Sequence, residues 1–182
     1  MNKINKSLEE LTSSILLKND MYKIPVDVIG IAKANDIKVY KGNLDKKISG
    51  AIRYNRSTNE FEILVNENDT RENQRFTIAH EIGHFFLHKD ILENDDVHVD
   101  IMFRIPNEEE KEREKEVDYF AGALLMNKTL LEKIYNENNT ITELSQLFDV
   151  SVSAMTVRLD ILGLLWVNII KVLQKMKKKM NY

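Results

Sequence analysis

The sequence predicts an α+β fold: helices packed on a short antiparallel sheet, followed by a compact helical pair of helix–turn–helix type. Two short runs, Ile48–Tyr54 and Phe61–Val65, flank a polar Asn55–Glu60 turn and read as a β-hairpin. Elsewhere the apolar residues recur at helical spacing, most densely around Phe76–Leu87 and Val117–Met126. Further on, Ile141, Leu144, Leu147 and Phe148, then Met155, Val157, Leu159 and Leu162, form two short helical patterns separated by Asp149-Val150.

Taken in order, Leu8, Leu11, Ile15 and Leu16 predict a first helix over 7–18, with Ser7 a candidate N-cap. Pro25 opens a second, with Val26, Ile29, Ile31 and Ala32 facing inward. The alternating Ile37-Lys38-Val39-Tyr40 begins a strand that ends at Gly42, and the hairpin follows. Thr70 or Asn68 caps the helix that carries Phe76–Leu87. The acidic stretch 90–100 reads as an exposed loop, and Ile101–Ile105 as a last short strand before Pro106. Asn107 caps a helix running to about Met126, whose charged first half suits a solvated helix start. Asn139 or Thr140, and then Ser151, cap the final pair.

The chain has 182 residues, of which 43% are hydrophobic and 30% charged, the composition of an ordinary soluble domain. The expected division is a body over 1–135, a helical module packed on it over 136–166, and a basic helix or tail over 167–182. That last segment holds five lysines and no acid, so the remainder is markedly acidic beneath a net charge of −3. No cysteine is present, which excludes disulfides and thiolate metal sites and suits a reducing, cytoplasmic location. Met1–Ser7 leads into an acidic amphipathic stretch rather than a signal-peptide core, and no apolar run has the length of a membrane span. Between Thr140 and Trp166 the one basic residue is Arg158, against Glu143, Asp149 and Asp160. That balance argues against direct nucleic-acid binding by the helical pair.

The helix over Phe76–Leu87 contains His80-Glu81-x-x-His84. At about 100° per residue the two imidazoles point the same way, one turn apart, and can close on one zinc ion. Glu81 stands beside them as a general base for water. The polar residues Thr77, His80, Glu81, His84 and His88 share an arc of about 100° on an otherwise apolar wheel. A narrow polar arc on a buried helix is the wall of a cleft. His88 lies about 12 Å from His80 along the axis, which suits a supporting role or the cleft edge.

A catalytic zinc takes three protein ligands and keeps one position open. Glu116 is the carboxylate that aligns with the buried side of Phe120, Ala123 and Leu124; Asp118 is its rival, and His98 in the acidic stretch is a third candidate. A helix-edge ion pair of Glu116 with Lys115 or Arg113 is the alternative without chemistry.

The two blocks Phe76–His84 and Glu116–Met126 together resemble the ImmA/IrrE zinc metallopeptidases, whose signature pairs A-H-E-[IL]-G-H with a later E-A-[ND]-x-F-A-x-x-L-L-M-P. The resemblance spans about residues 20–165, and implies a small zincin-like metallopeptidase domain with His80, His84 and Glu116 as zinc ligands and Glu81 as base. Val117 stands where the signature has alanine, and Asn127 where it has proline. An oxyanion donor is expected among His88, Tyr119 and Arg104, and the strand edge Ile63-Leu64-Val65 is expected to align an extended substrate. The family's role implies a zinc endopeptidase of the stand-alone antirepressor type, cutting a DNA-binding repressor in mobile-element, phage or stress regulation. The contrasting expectation is a DNA-binding or protein-docking module whose zinc is structural.

Overall fold

A computed structural model describes residues 3–94, 98–101, 107–136 and 139–165. Helix α1 (Lys3–Lys18) buries Leu8, Ile15 and Leu16, and starts a turn before the expected Ser7 cap. Asp27, rather than Pro25, caps α2 (Val28–Ala34) by accepting from the Gly30 amide. Val26, Ile31 and Ala32 are buried as expected, whereas Ile29 faces solvent.

Strands β1 (Ile37–Gly42), β2 (Ile48–Asn55) and β3 (Glu60–Asn66) match the expected runs, and β4 (His98–Ile101) begins three residues early. The sheet order is β1-β3-β2-β4. β2 runs antiparallel to β3 and β4, but β1 pairs with β3 in parallel, so the sheet is mixed rather than wholly antiparallel. β3 therefore lies inside the sheet with both sides hydrogen-bonded. Period-two alternation puts Phe61, Ile63 and Val65 of β3, with Ile52 of β2 and Ile37 of β1, into the core.

Helix α3 (Arg71–Leu87) packs on that face of the sheet, capped by the Thr70 side chain at the Asn73 amide. The short α4 (Lys89–Asn94) occupies part of the stretch expected to be loop, and buries Leu92. Helix α5 (Glu108–Leu125) opens with a capping box between Asn107 and Glu110 and lies against α3. The crossing is close because Gly83 has no side chain: a Cβ there would stand 2.9 Å from Val117 Cγ1 and 3.0 Å from the Phe120 ring. α1 packs on α5 in turn.

After α5, Asn127 caps α6 (Lys128–Ile134), a helix that the sequence reading omitted. The Asn127 side chain also accepts from the Tyr22 hydroxyl and donates to Ser13 Oγ, tying α6 to the start of the chain. Helices α7 (Ile141–Phe148) and α8 (Val152–Ile161) form the expected pair, capped by Thr140 and Ser151, with Asp149 in the left-handed region between them. Leu144, Phe148, Met155 and Leu159 join the same core as the sheet and α3. Arg158 of α8 is 2% exposed and pairs with Glu9 of α1. Arg104 and the lysine-rich 167–182 segment lie outside the described residues. No helix among the described residues is long and apolar enough to cross a membrane.

Candidate metal centre

The middle of α3 is buried against both the sheet and α5, so its polar arc opens onto a confined space. His80, Glu81 and His84 are all buried, Glu81 completely. The Nε2 atoms of His80 and His84 are 3.1 Å apart. Glu114 Oε2 completes the triangle, 3.2 Å from His80 Nε2 and 3.6 Å from His84 Nε2. Ligands held about 2.0–2.1 Å from a tetrahedral zinc stand about 3.3 Å from each other, and these separations bracket that value. Two imidazoles and one carboxylate are also the donor set that such an ion takes in open sites. The residues fit the metal.

Glu114, not Glu116, makes this triangle. Glu116 Oε2 lies 3.9 Å from His88 Nε2, a full turn further along α3. The expected ligand was placed two residues late for a geometric reason. α5 is buried on two sides, and seven residues on a helix return to almost the same direction. Glu114 is thus in line with Ala121, and Glu116 with Ala123, and both alanines are fully buried. A wheel cannot choose between these stripes; the contact of Val117 with Gly83 does. The sequence did carry a pointer, because Glu114 and Asp118 are one turn apart on the same face.

Asp118 takes the supporting position instead of a ligand's. Its Oδ1 accepts from His80 Nδ1 at 3.0 Å, fixing the ring so that Nε2 faces Glu114. His88 stands behind His84, with their Nδ1 atoms 3.3 Å apart. Burial by itself disfavours the charged imidazole of His80. Hydrogen bonds to Asp118 and Glu114, with the Glu81 charge nearby, outweigh that and raise it to about 10. The carboxylates responsible, Asp118, Glu114 and Glu81, make the pocket acidic, which suits a divalent cation.

Tyr119 faces away from the centre, and its hydroxyl donates to Glu9 Oε1 at 2.8 Å. Burial and that carboxylate push the phenol up to about 12. It therefore serves the Glu9–Arg158 pair and not an oxyanion. The side chain of His98 lies outside what is described, so its candidacy stays an expectation.

The expected substrate edge is also displaced. Ile63, Leu64 and Val65 belong to the interior strand β3, whose backbone is already paired on both sides. β2 is the strand beside the base: a Cβ on Gly50 would lie 2.4 Å from Thr77 Cγ2 and 3.7 Å from Glu81 Oε1. The β2–β4 register slips between Ile48 and Gly50, a bulge at Ser49. Ser49 then lines a cavity of about 230 Å³ with Asn73, Phe76, Thr77, His80 and Asp118. Ser49 and Asn73 were not legible beforehand, since a bulge depends on the partner strand.

Residues 32–160 match the model of the IrrE N-terminal-like domain, well over half of the chain. Metallopeptidase ImmA of Bacillus subtilis (strain 168) is 36% identical over 63 residues, covering 35% of this chain and 36% of that protein. A solved Mycobacterium tuberculosis transcriptional regulator has a similar fold, with a TM-score of 0.59 at 20% identity, covering 85% of this chain and 46% of that one. The chain thus matches less than half the length of each of these relatives. With the paired histidines on α3 and the acidic face of α5 in the order that the fold requires, the chain belongs to the family of IrrE N-terminal-like domains.

Proposed function

We propose that this protein is a zinc-dependent endopeptidase that cleaves a DNA-binding repressor at a specific site in the cytoplasm and so relieves repression. The observation that carries the chemistry is the convergence of His80, His84 and Glu114 beside the buried Glu81. The repressor substrate is supported by kinship alone, through the family match and the relative named metallopeptidase ImmA.

His80, His84 and Glu114 would hold the ion. Zinc, when bound, supplies Lewis acidity that polarises the scissile carbonyl and makes water a stronger acid. Glu81 takes a proton from the attacking water as its oxygen adds to the carbonyl carbon. It then delivers a proton to the leaving nitrogen as the C–N bond breaks. Asp118 holds the His80 ring in register throughout. A substrate strand would lie beside the Ser49 bulge, where the cavity meets His80, rather than along β3.

The rival reading, a DNA-binding module with structural zinc, loses support from Arg158. This single cation of the helical pair is buried against Glu9, so the pair offers DNA no exposed cation. The test is metal content and cleavage together. Purified protein should hold one zinc, lost in Glu114→Ala and kept in Glu116→Ala and Glu81→Gln. Glu81→Gln should no longer cut a repressor that the native protein cuts. Zinc lost from Glu116→Ala and retained in Glu114→Ala would reject the site, and full cleavage by Glu81→Gln would reject the base.

A further inference from the structure

A second cavity, of about 480 Å³, adjoins the metal centre. It lies between the start of α3, the middle of α5 and the outer face of α8. Its volume falls within the range of about 300–1,000 Å³ typical of pockets that enclose a ligand. Val150, Ala154, Val157 and Ile161 supply the wall on the side of the helical pair, and Phe76 and Tyr119 face them. Val157 is 58% exposed and Ile161 43%, and with Val150 and Ala154 they form one apolar wall. The Arg158 guanidinium reaches the floor, but Glu9 and the Met126 carbonyl take its hydrogen bonds. The aliphatic wall favours an apolar occupant, while the charged Glu72, Lys115 and Asp118 line the same cavity on the side of α3 and α5.

This cavity is continuous with the chemistry. Asn73, Phe76 and Asp118 line both it and the smaller cavity that contains His80. The Phe76 and His80 ring centres are 6.5 Å apart. An extended peptide advances about 3.3 Å per residue. A side chain seated past Phe76 therefore belongs to a residue one or two positions from a bond held at His80.

We infer that the groove between α3, α5 and α8 is a specificity pocket of the peptidase, taking a bulky aliphatic or aromatic side chain of the substrate next to the scissile bond. The inference rests on the endopeptidase reading and gives it a substrate class: extended segments with a large apolar residue close to the cut. It also gives the helical pair a task, as one wall of the substrate cleft.

The experiment uses the full chain carrying Glu81→Gln, which should bind without cutting. Labelled Ala/Ser/Gln peptides, each with one Leu, Phe, Asp or Lys guest, are titrated by fluorescence anisotropy. Burial of one large apolar side chain predicts about tenfold to hundredfold tighter binding of the Leu and Phe peptides than of the Asp peptide. Adding Val157→Glu should remove that preference while thermal stability and zinc content stay unchanged. In the Glu81-intact protein, Val157→Glu should also move cleavage away from sites flanked by Leu or Phe. No guest preference, or a preference that survives Val157→Glu, would overturn the inference. So would a photo-crosslinker at position 157 that captures residues 166–182 of the same chain or a second copy instead of the peptide. Cleavage without groove dependence rejects this inference alone. Groove-dependent binding with no cleavage of any peptide by the native protein rejects the peptidase reading and leaves the groove as a peptide site.

Discussion

Arg158→Met should unfold this protein far more easily than its place on a surface helix suggests. The Arg158 guanidinium meets Glu9 at 2.7 and 2.9 Å and donates to the Met126 carbonyl at 2.9 Å. Glu9 is itself buried and otherwise accepts from Tyr119. Methionine fills much of the arginine's volume, so the loss measured is that of charge and hydrogen bonds rather than of packing. It strands a buried carboxylate and a buried carbonyl, a class of change that costs about 3–5 kcal/mol. Total stability is about 5–15 kcal/mol, and in a domain of this size each kcal/mol moves Tm by about 2–4 °C. The expected fall in Tm is therefore about 6–20 °C, read by circular dichroism with urea titrations to supply the free energy. Glu9→Leu combined with Arg158→Met should recover most of the loss, because an apolar pair has nothing left to satisfy. A loss below about 1 kcal/mol for Arg158→Met, the worth of an exposed ion pair, would refute the view that this pair anchors the helical module.

Gly83→Ala should force α3 and α5 apart at Val117 and Phe120, costing about 1–3 kcal/mol in urea unfolding and weakening zinc retention in the same protein. Asp118→Asn keeps the shape but weakens the acceptor that orients His80, so competition with a chelator should reveal about tenfold to hundredfold poorer zinc affinity at unchanged Tm. Asp149 is held below the usual carboxylate range chiefly by its hydrogen bond with Arg71. A depressed folded-state value means stability that is complete above the ordinary carboxylate pKa and lost as pH falls through the folded one. Asp149→Asn tolerates the left-handed backbone, and should lower stability at neutral and alkaline pH while changing little in acid, which flattens the acid limb of the stability curve.

What could be read from the sequence was what a few neighbouring residues decide. The caps at Asn107 and Ser151 were legible, and Thr70 was one of two candidates for its helix, because each satisfies amides within three positions of itself. His80, Glu81 and His84 came together because one helical turn brings them together. Glu114 was missed because the choice between two buried stripes of α5 is made by α3, through Gly83. The interior place of β3 depends on β1 returning in parallel from a distant part of the chain. Asn127 illustrates the same limit. Its φ of −53° is one that proline also adopts, so the backbone fits the signature, while its side chain replaces the ring with bonds to Tyr22, Ser13, Thr129 and Leu130. Substituting asparagine for proline therefore kept the helix end and added a tie to α1, which no local rule announces.

The helical pair resembles a DNA reader in outline and differs from one in where its charges point. Arg158 is turned inward, and Asp149 is taken up by Arg71 and Arg75 at the start of α3. Arg75 also donates to the carbonyls of Asp149 and Val26. Those contacts fix the first turns of α3, one turn before His80, so the pair acts on the metal helix from its N-terminal end. Gly83 and α5 fix the middle of α3, and the edge-to-face contact of Phe61 with Phe85 fixes its far end. A helix clamped at both ends and in the middle keeps its two imidazoles in a fixed direction. The exposed residues of α8 are the apolar Val152, Val157 and Ile161 with Ser153 and Asp160, and none of them is a cation. Charge was used to secure the scaffold, and what remains exposed beside the cleft is suited to greasy side chains rather than to phosphates.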